Sequence, residues 1–226
     1  MRIDYVDIEG ARRIRTGVAV VIDVMRAYTV AAWALHLGGR QLVLMDDVEE
    51  AVSLAATIPG ALLLKDGLPD ARFDLHNSPR QLLDLDVADR VIVQRTTAGT
   101  RGAVAARNAE HVYCASFVCA SATAAAVAGL SPDAVTFVVS GGHDADEDRA
   151  CADYIARCLS GERPDAAPYL ERARNSEAAR DLRDGVARGY AGVTEDDVPL
   201  CLELDRFDFA MRTTPWRGQL SLTKAG

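Results

Sequence analysis

Long apolar runs are missing from this 226-residue chain. No stretch approaches the roughly eighteen residues that a helix needs to cross a bilayer, and the opening MRIDYVDIEGARR has no apolar core of the kind a secretory leader carries. A cytoplasmic protein is expected. The five cysteines, Cys114, Cys119, Cys151, Cys158 and Cys201, show no Cys-x-x-Cys spacing, which removes the common zinc and thiol-redox frameworks and predicts buried, reduced thiols. A basic stripe is absent too. With a formal net charge of -8, neither nucleic acid nor an anionic membrane is expected as the main partner, because both reward clustered lysine and arginine. A small ligand remains. There is no internal repeat and no low-complexity linker.

Three phosphate-handling signatures also fail. Gly-x4-Gly-Lys-Ser/Thr is not present, and Met25 takes the second position of what would otherwise be an Asp-x-Asp pair at Asp23. The segment Cys151 to Arg157 matches Cys-x5-Arg in form only. It lacks glycine and lies in a helix-period segment, whereas a catalytic thiolate needs an anion-binding loop or a helix N-terminus to lower its pKa.

What the chain does have begins at Val18. From there to Val24 the residues are apolar without alternation except for Asp23, the pattern of a strand buried on both faces, as in a parallel sheet covered by helices. Asp23 and Arg26 stand at its end. A carboxylate there is costly unless bound by a metal, by a partner such as Arg26, or by the N-terminus of the helix that begins near Ala27. Further apolar runs at 41–45, 61–64, 90–93, 111–114 and 134–139 alternate with alanine-rich, helix-period segments at 27–37, 48–57, 99–106, 117–128 and 148–159. This alternation predicts an α/β fold, three-layer α/β/α, with a mainly parallel central sheet of about six strands. Ligands of such folds bind outside the carboxyl ends of the strands. One domain over 1–226 is expected, with a mostly helical, surface-lying extension at about 162–200 and an edge strand at 207–212.

Four segments fall where strands should end. Asp23 to Arg26 is the first. In Asp74-Leu75-His76-Asn77-Ser78-Pro79-Arg80, Ser78 is a candidate N-cap with proline at the first helical position, so backbone N–H groups open toward an anion beside Arg80. In Gln94-Arg95-Thr96-Thr97-Ala98-Gly99-Thr100-Arg101, three hydroxyls, a glycine and an arginine suit an oxyanion at a strand-to-helix turn. In the fourth, Ser140-Gly141-Gly142-His143-Asp144-Ala145-Asp146-Glu147-Asp148, a glycine pair precedes four acids that offer hard oxygen ligands.

In order and spacing these segments resemble the 2-phosphosulfolactate phosphatase family, whose members read VVIDVLRAT, then FD followed by NSP, then TTTNGT with a following arginine, then a late acidic segment. The counterparts are 20–27, 73–80, 95–101 and 141–148. The resemblance implies a Mg2+-dependent phosphatase acting on a small phosphorylated 2-hydroxy acid, an activity of coenzyme M biosynthesis. It implies catalytic roles for Asp23 and Arg26, and Mg2+ on Asp23 with one or more of Asp66, Glu147 and Asp148. Substrate or phosphate contacts would come from Asn77, Ser78, Arg80, Thr96, Thr97, Gly99, Thr100 and Arg101, with Arg80 suited to a carboxylate or sulfonate tail. A homodimer is allowed for. The chain departs from the pattern at Ala98, where the family has asparagine, at Lys65-Asp66 for Gly-Glu, at His76, and at His143 to Asp146. Two alternatives stay open: a non-catalytic binder of a phosphorylated or sulfonated metabolite, and a phosphatase of the same scaffold with another substrate.

Overall fold

The structure is a computed structural model and describes residues 1–141 and 145–225. His143 and Asp144 therefore lie outside the described residues. The strands are β1 (Arg2–Val6), β2 (Val18–Ile22), β3 (Gln41–Met45), β4 (Leu62–Lys65), β5 (Leu75–His76), β6 (Val91–Arg95), β7 (His111–Ala115), β8 (Ala134–Val139), β9 (Ala210–Trp216) and β10 (Gln219–Ala225). The helices are α1 (Ile8–Ala11), α2 (Ala27–His36), α3 (Val48–Ala56), α4 (Pro79–Leu82), α5 (Gly99–Ala106), α6 (Ala120–Gly129), α7 (Asp146–Leu159), α8 (Ala167–Arg174), α9 (Glu177–Ala187) and α10 (Asp197–Cys201).

The fold is α/β, and all six expected strands are present, as β2, β3, β4, β6, β7 and β8. The sheet is larger than expected, with ten strands in the order β1-β8-β2-β7-β9-β10-β3-β6-β4-β5. Parallel pairing joins β1, β8, β2 and β7 in one block and β3, β6, β4 and β5 in another. The hairpin β9-β10 connects the blocks through antiparallel pairs. The expected edge strand at 207–212 is thus corrected: β9 starts at Ala210 and is paired on both sides, and the edges are β1 and β5.

Five strand intervals, at about 4.8 Å each, separate β2 from β6 along the sheet. Nevertheless a methyl group added at Gly99, after β6, would stand 2.7 Å from Asp23 Oδ2, after β2. A flat sheet between two helical layers would hold these ends apart; this sheet curls. At its centre is α2, whose residues Ala27 to Leu35 are all buried and which touches β3, β7, β10, α4 and α5. A helix apolar on every side has to be enclosed in this way. Beyond it, Val43, Met45, Val91 and Val93 turn to a smaller core under α3, while Leu42, Leu44 and Ile92 face the main one, the two-face alternation of strands covered on both sides.

The 162–200 region is helical, as α8, α9 and the start of α10. Its surface-lying character does not extend to α10, where Asp197 is fully buried. No helix among the described residues is long and apolar enough to cross a membrane. The five cysteines are unpaired, four of them buried and Cys158 half-buried. Cys151 sits within α7, where burial pushes its thiol well above the ordinary range, opposite to what a nucleophile requires.

Candidate active site

The unbroken apolar sequence of β2 carries Asp23 to the carboxyl end of the strand, where only 7% of its surface is exposed. Its Oδ1 accepts the backbone N–H of Ala27 at 2.8 Å, in the first turn of α2. Close approach of α5 completes the enclosure: a Cβ at Gly99 would overlap Asp23, and one at Gly102 would stand 2.8 Å from Val21 Cγ1. Glycine at both positions lets the helix lie directly on β2.

Three acids gather here. Asp148, in the first turn of α7, accepts the Val24 N–H at 2.8 Å through Oδ1 and the Gly141 N–H at 3.1 Å through Oδ2. The Ser140 hydroxyl lies between the carboxylates, 3.4 Å from Asp23 Oδ2 and 3.3 Å from Asp148 Oδ2. Glu147 is buried beside them, and among the described residues its Oε2 has no hydrogen-bond partner. Burial pushes the Asp23 carboxyl up to about 6 and the charge of Asp66 adds to the rise, against hydrogen bonds from Ala27, Gly99 and Ser140. Asp148 is pushed well above the usual carboxylate range by burial and by the charges of Asp23 and Glu147. Glu147 is raised by burial, with a hydrogen bond from Ser176 opposing. Such a cluster takes up protons or a cation.

Arg26 makes no hydrogen bond to this cluster among the described residues. Its Nη1 donates to Asp197 Oδ2 at 2.6 Å and to the Gly192 carbonyl at 2.8 Å. Ser78 caps α4, accepting the Gln81 N–H at 3.2 Å, while its own hydroxyl donates to Asp197 Oδ1 at 2.6 Å. Asn77 Oδ1 accepts from Gln94 Nε2 at 3.2 Å, and the same Nε2 donates to the Ala27 carbonyl at 2.9 Å, so β6 is tied to the start of α2. Arg80 turns outward, paired with Asp84 at 2.8 Å and Asp196 at 3.5 Å.

In the turn after β6, the buried hydroxyls of Thr96 and Thr100 lie 2.9 Å apart, and Thr96 Oγ1 accepts the Thr100 N–H at 3.3 Å. Thr96 thereby satisfies a helix-start donor that the adjacent Ala98 cannot. Thr97 and Arg101 are exposed. Asp66 holds the turn from β4, with Oδ2 accepting the Thr97 N–H at 2.6 Å and Oδ1 paired to Arg95 at 3.0 Å. His76 and Lys65 are register partners on β5 and β4; His76 meets the Tyr190 ring edge-on at 5.9 Å, and among the described residues its Nδ1 is without a partner.

Asp23, Gly99, Glu147 and Asp148 are thus brought together, with Asp66 near enough to act on Asp23 through its charge. Arg26 and Ser78 meet at Asp197, and Arg80 is drawn to the surface. Among the described residues no three histidine, cysteine or acidic side chains converge closely enough to form a metal site by themselves. Sequence reasoning placed Ser140 at the head of the fourth strand-end segment but gave it no role, and it missed Asp197. Ser140 directly follows the apolar run of β8, the position that marked its segment. Asp197 had no such signal, being one acid in a charged stretch.

The curled mixed sheet, with carboxylates and a threonine-bearing turn collected at the carboxyl ends of parallel strands, defines an α/β enzyme. The chain belongs to the 2-phosphosulpholactate phosphatase family, whose model matches residues 6–214. A relative named "Probable 2-phosphosulfolactate phosphatase" in Bacillus subtilis is 34% identical over 197 residues, 85% of each chain. Namesakes in Symbiobacterium thermophilum and Thermus thermophilus are 36% identical over 162 residues, 69% of each chain, and 37% identical over 142 residues, 62% of this chain and 59% of the relative.

Proposed function

We propose that this protein is a Mg2+-dependent phosphatase that hydrolyses the phosphate monoester of a small 2-hydroxy acid of the 2-phosphosulfolactate kind, releasing sulfolactate and phosphate. The observation that carries this reading is the buried cluster of Asp23, Glu147 and Asp148 beside the Thr96 to Arg101 turn. Family membership supports the reaction class.

The residues present fit the ion. Asp148 has both oxygens committed to backbone N–H groups, whereas among the described residues Glu147 Oε2 has no partner and the Ser140 hydroxyl approaches Asp23 Oδ2 only at a long 3.4 Å. Magnesium takes one or two protein carboxylates and completes its shell with water and substrate phosphate oxygens, so Asp23 and Glu147 would hold it. When bound, it supplies positive charge to the phosphoryl oxygens. Asp66, with both oxygens engaged, would act on the site through its charge and by holding Thr97.

The chain's own cations and donors do the rest. The free guanidinium N–H groups of Arg26, the exposed Thr97 hydroxyl and Arg101 would hold the equatorial oxygens, on which charge must be stabilised as the phosphoryl group moves to water. Thr96 and Thr100 fix the turn that presents them, and Asn77 and Ser78 anchor the opposite wall. Arg80 would clamp an acidic tail only by exchanging Asp84 and Asp196 for it.

The test is phosphate release from a panel of phosphorylated hydroxy acids, 2-phosphosulfolactate among them, run beside calorimetric titration of the same compounds. Release in magnesium that stops on chelation is expected. Tight binding without release would contradict catalysis and favour a metabolite binder.

A further inference from the structure

Asp197 belongs to α10, at the end of the extension that the sequence marks only as helical and charged. It is fully buried and its carboxylate is saturated. Oδ2 accepts from Arg26 Nη1 at 2.6 Å and from the Thr194 N–H at 3.0 Å; Oδ1 accepts from Ser78 Oγ at 2.6 Å and from the Arg80 N–H at 3.3 Å. One side chain therefore joins the turn after β2, the N-terminus of α4 and the extension. A buried carboxylate carrying a cation and three neutral donors is a costly arrangement to assemble, and removing it leaves the arginine charge unpaired.

The geometry at Arg26 gives this hub a direction. Only Nη1 is bonded, to Asp197 and to the Gly192 carbonyl. Among the described residues neither Nε nor Nη2 donates to anything, although the residue is only 9% exposed. A guanidinium gripped by one nitrogen and free at the other two has lost most of its rotamer freedom before any ligand arrives, while its remaining donors stay available to an anion. Ser78, gripped by the other oxygen of the same carboxylate, starts the facing helix.

We infer that Asp197 is a positioning residue: it orients Arg26 toward the phosphoryl group and locks the Ser78 helix start opposite it. This rests on the reading that Arg26 binds the phosphoryl group. Asp197 itself touches no substrate. The helical extension is on this account part of the active site and not an accessory to the fold.

A double-mutant cycle tests it, with magnesium-dependent phosphate release from 2-phosphosulfolactate as the assay. Arg26→Gln and Asp197→Asn are each expected to lower kcat about a hundredfold, and the double variant should be no worse than Arg26→Gln alone, because residues acting through one another are non-additive. A purely structural Asp197 would show losses that multiply in the double variant, and that result overturns the inference. So does an Asp197→Asn enzyme with unchanged kcat beside a crippled Arg26→Gln. If Arg26→Gln keeps full turnover, the phosphoryl-binding role of Arg26 falls first, and the positioning role with it. Should Asp197→Asn not fold, Asp197→Glu keeps the buried charge and enters the cycle under the same criterion.

Discussion

Asp148 holds Val24: its Oδ1 accepts the Val24 backbone N–H at 2.8 Å, joining the first turn of α7 to the chain one residue beyond Asp23. The acid is at once a bracket for the turn that presents Asp23 and a charge that repels it.

These two roles separate on mutation. Asp148→Ala strands the N–H groups of Val24 and Gly141 and should cost about 1–3 kcal/mol in urea denaturation. Asp148→Asn keeps an acceptor for Val24 and removes a charge opposed by Asp23 and Glu147, so it should lie within about 1 kcal/mol of the parent. Equal losses for the two would mean that the bracket carries none of the stability.

Gly99→Ala places a methyl group 2.7 Å from Asp23 Oδ2 and 3.0 Å from Ala27 Cβ. Either α5 moves off β2 or Asp23 leaves its rotamer. A loss of about 1–3 kcal/mol is expected for such overpacking, together with a sharp fall in phosphate release. Wild-type stability and turnover would show that the contact relaxes freely.

Magnesium should raise the melting temperature, since a ligand bound only by the folded state stabilises it by mass action. The shift is expected to shrink in Asp23→Asn and in Glu147→Gln. Differential scanning calorimetry across a magnesium series measures it; a shift that survives in both variants would place the ion elsewhere.

The His76 imidazole is lowered from its usual range, first by burial and then by the charges of Lys65 and Arg26. A folded-state pKa below the unfolded one means that the unfolded chain takes up the proton more readily. The stability linked to His76 is therefore fully present above about pH 6.5, the unfolded value, and is lost as pH falls through that value toward the lower folded one. His76→Gln should flatten this part of the stability profile, followed by urea titration from neutral to mildly acidic pH; an unaltered slope would assign the dependence to other groups.

Much of the candidate site's placement in the fold was legible because strand ends are legible. The unalternating Val18 to Ile22 announced a buried strand, so Asp23 had to be special, and the observed β3, α5 and β8 coincide with the segments read at 41–45, 99–106 and 134–139. The missed strands lack that contrast. Arg2–Val6 is a half-exposed edge, Leu75–His76 spans two residues, and Gln219–Ala225 mixes polar and apolar positions within a hairpin. The curl of the sheet was not readable, because it depends on which strands pair, and the hairpin that joins the two parallel blocks lies far along the chain from the strands it pairs with. Asp197 was hidden for a related reason: its partners are Arg26 and Ser78, more than a hundred positions away, and no local pattern encodes which buried cation a distant acid will meet.

The most direct measurement is phosphate release from 2-phosphosulfolactate by the wild type and by Asp23→Asn, each with magnesium and with chelator. The structure predicts turnover for the wild type in magnesium alone and none for Asp23→Asn in either condition. Magnesium-dependent turnover by a folded Asp23→Asn enzyme at the wild-type rate would contradict the role of the carboxylate cluster.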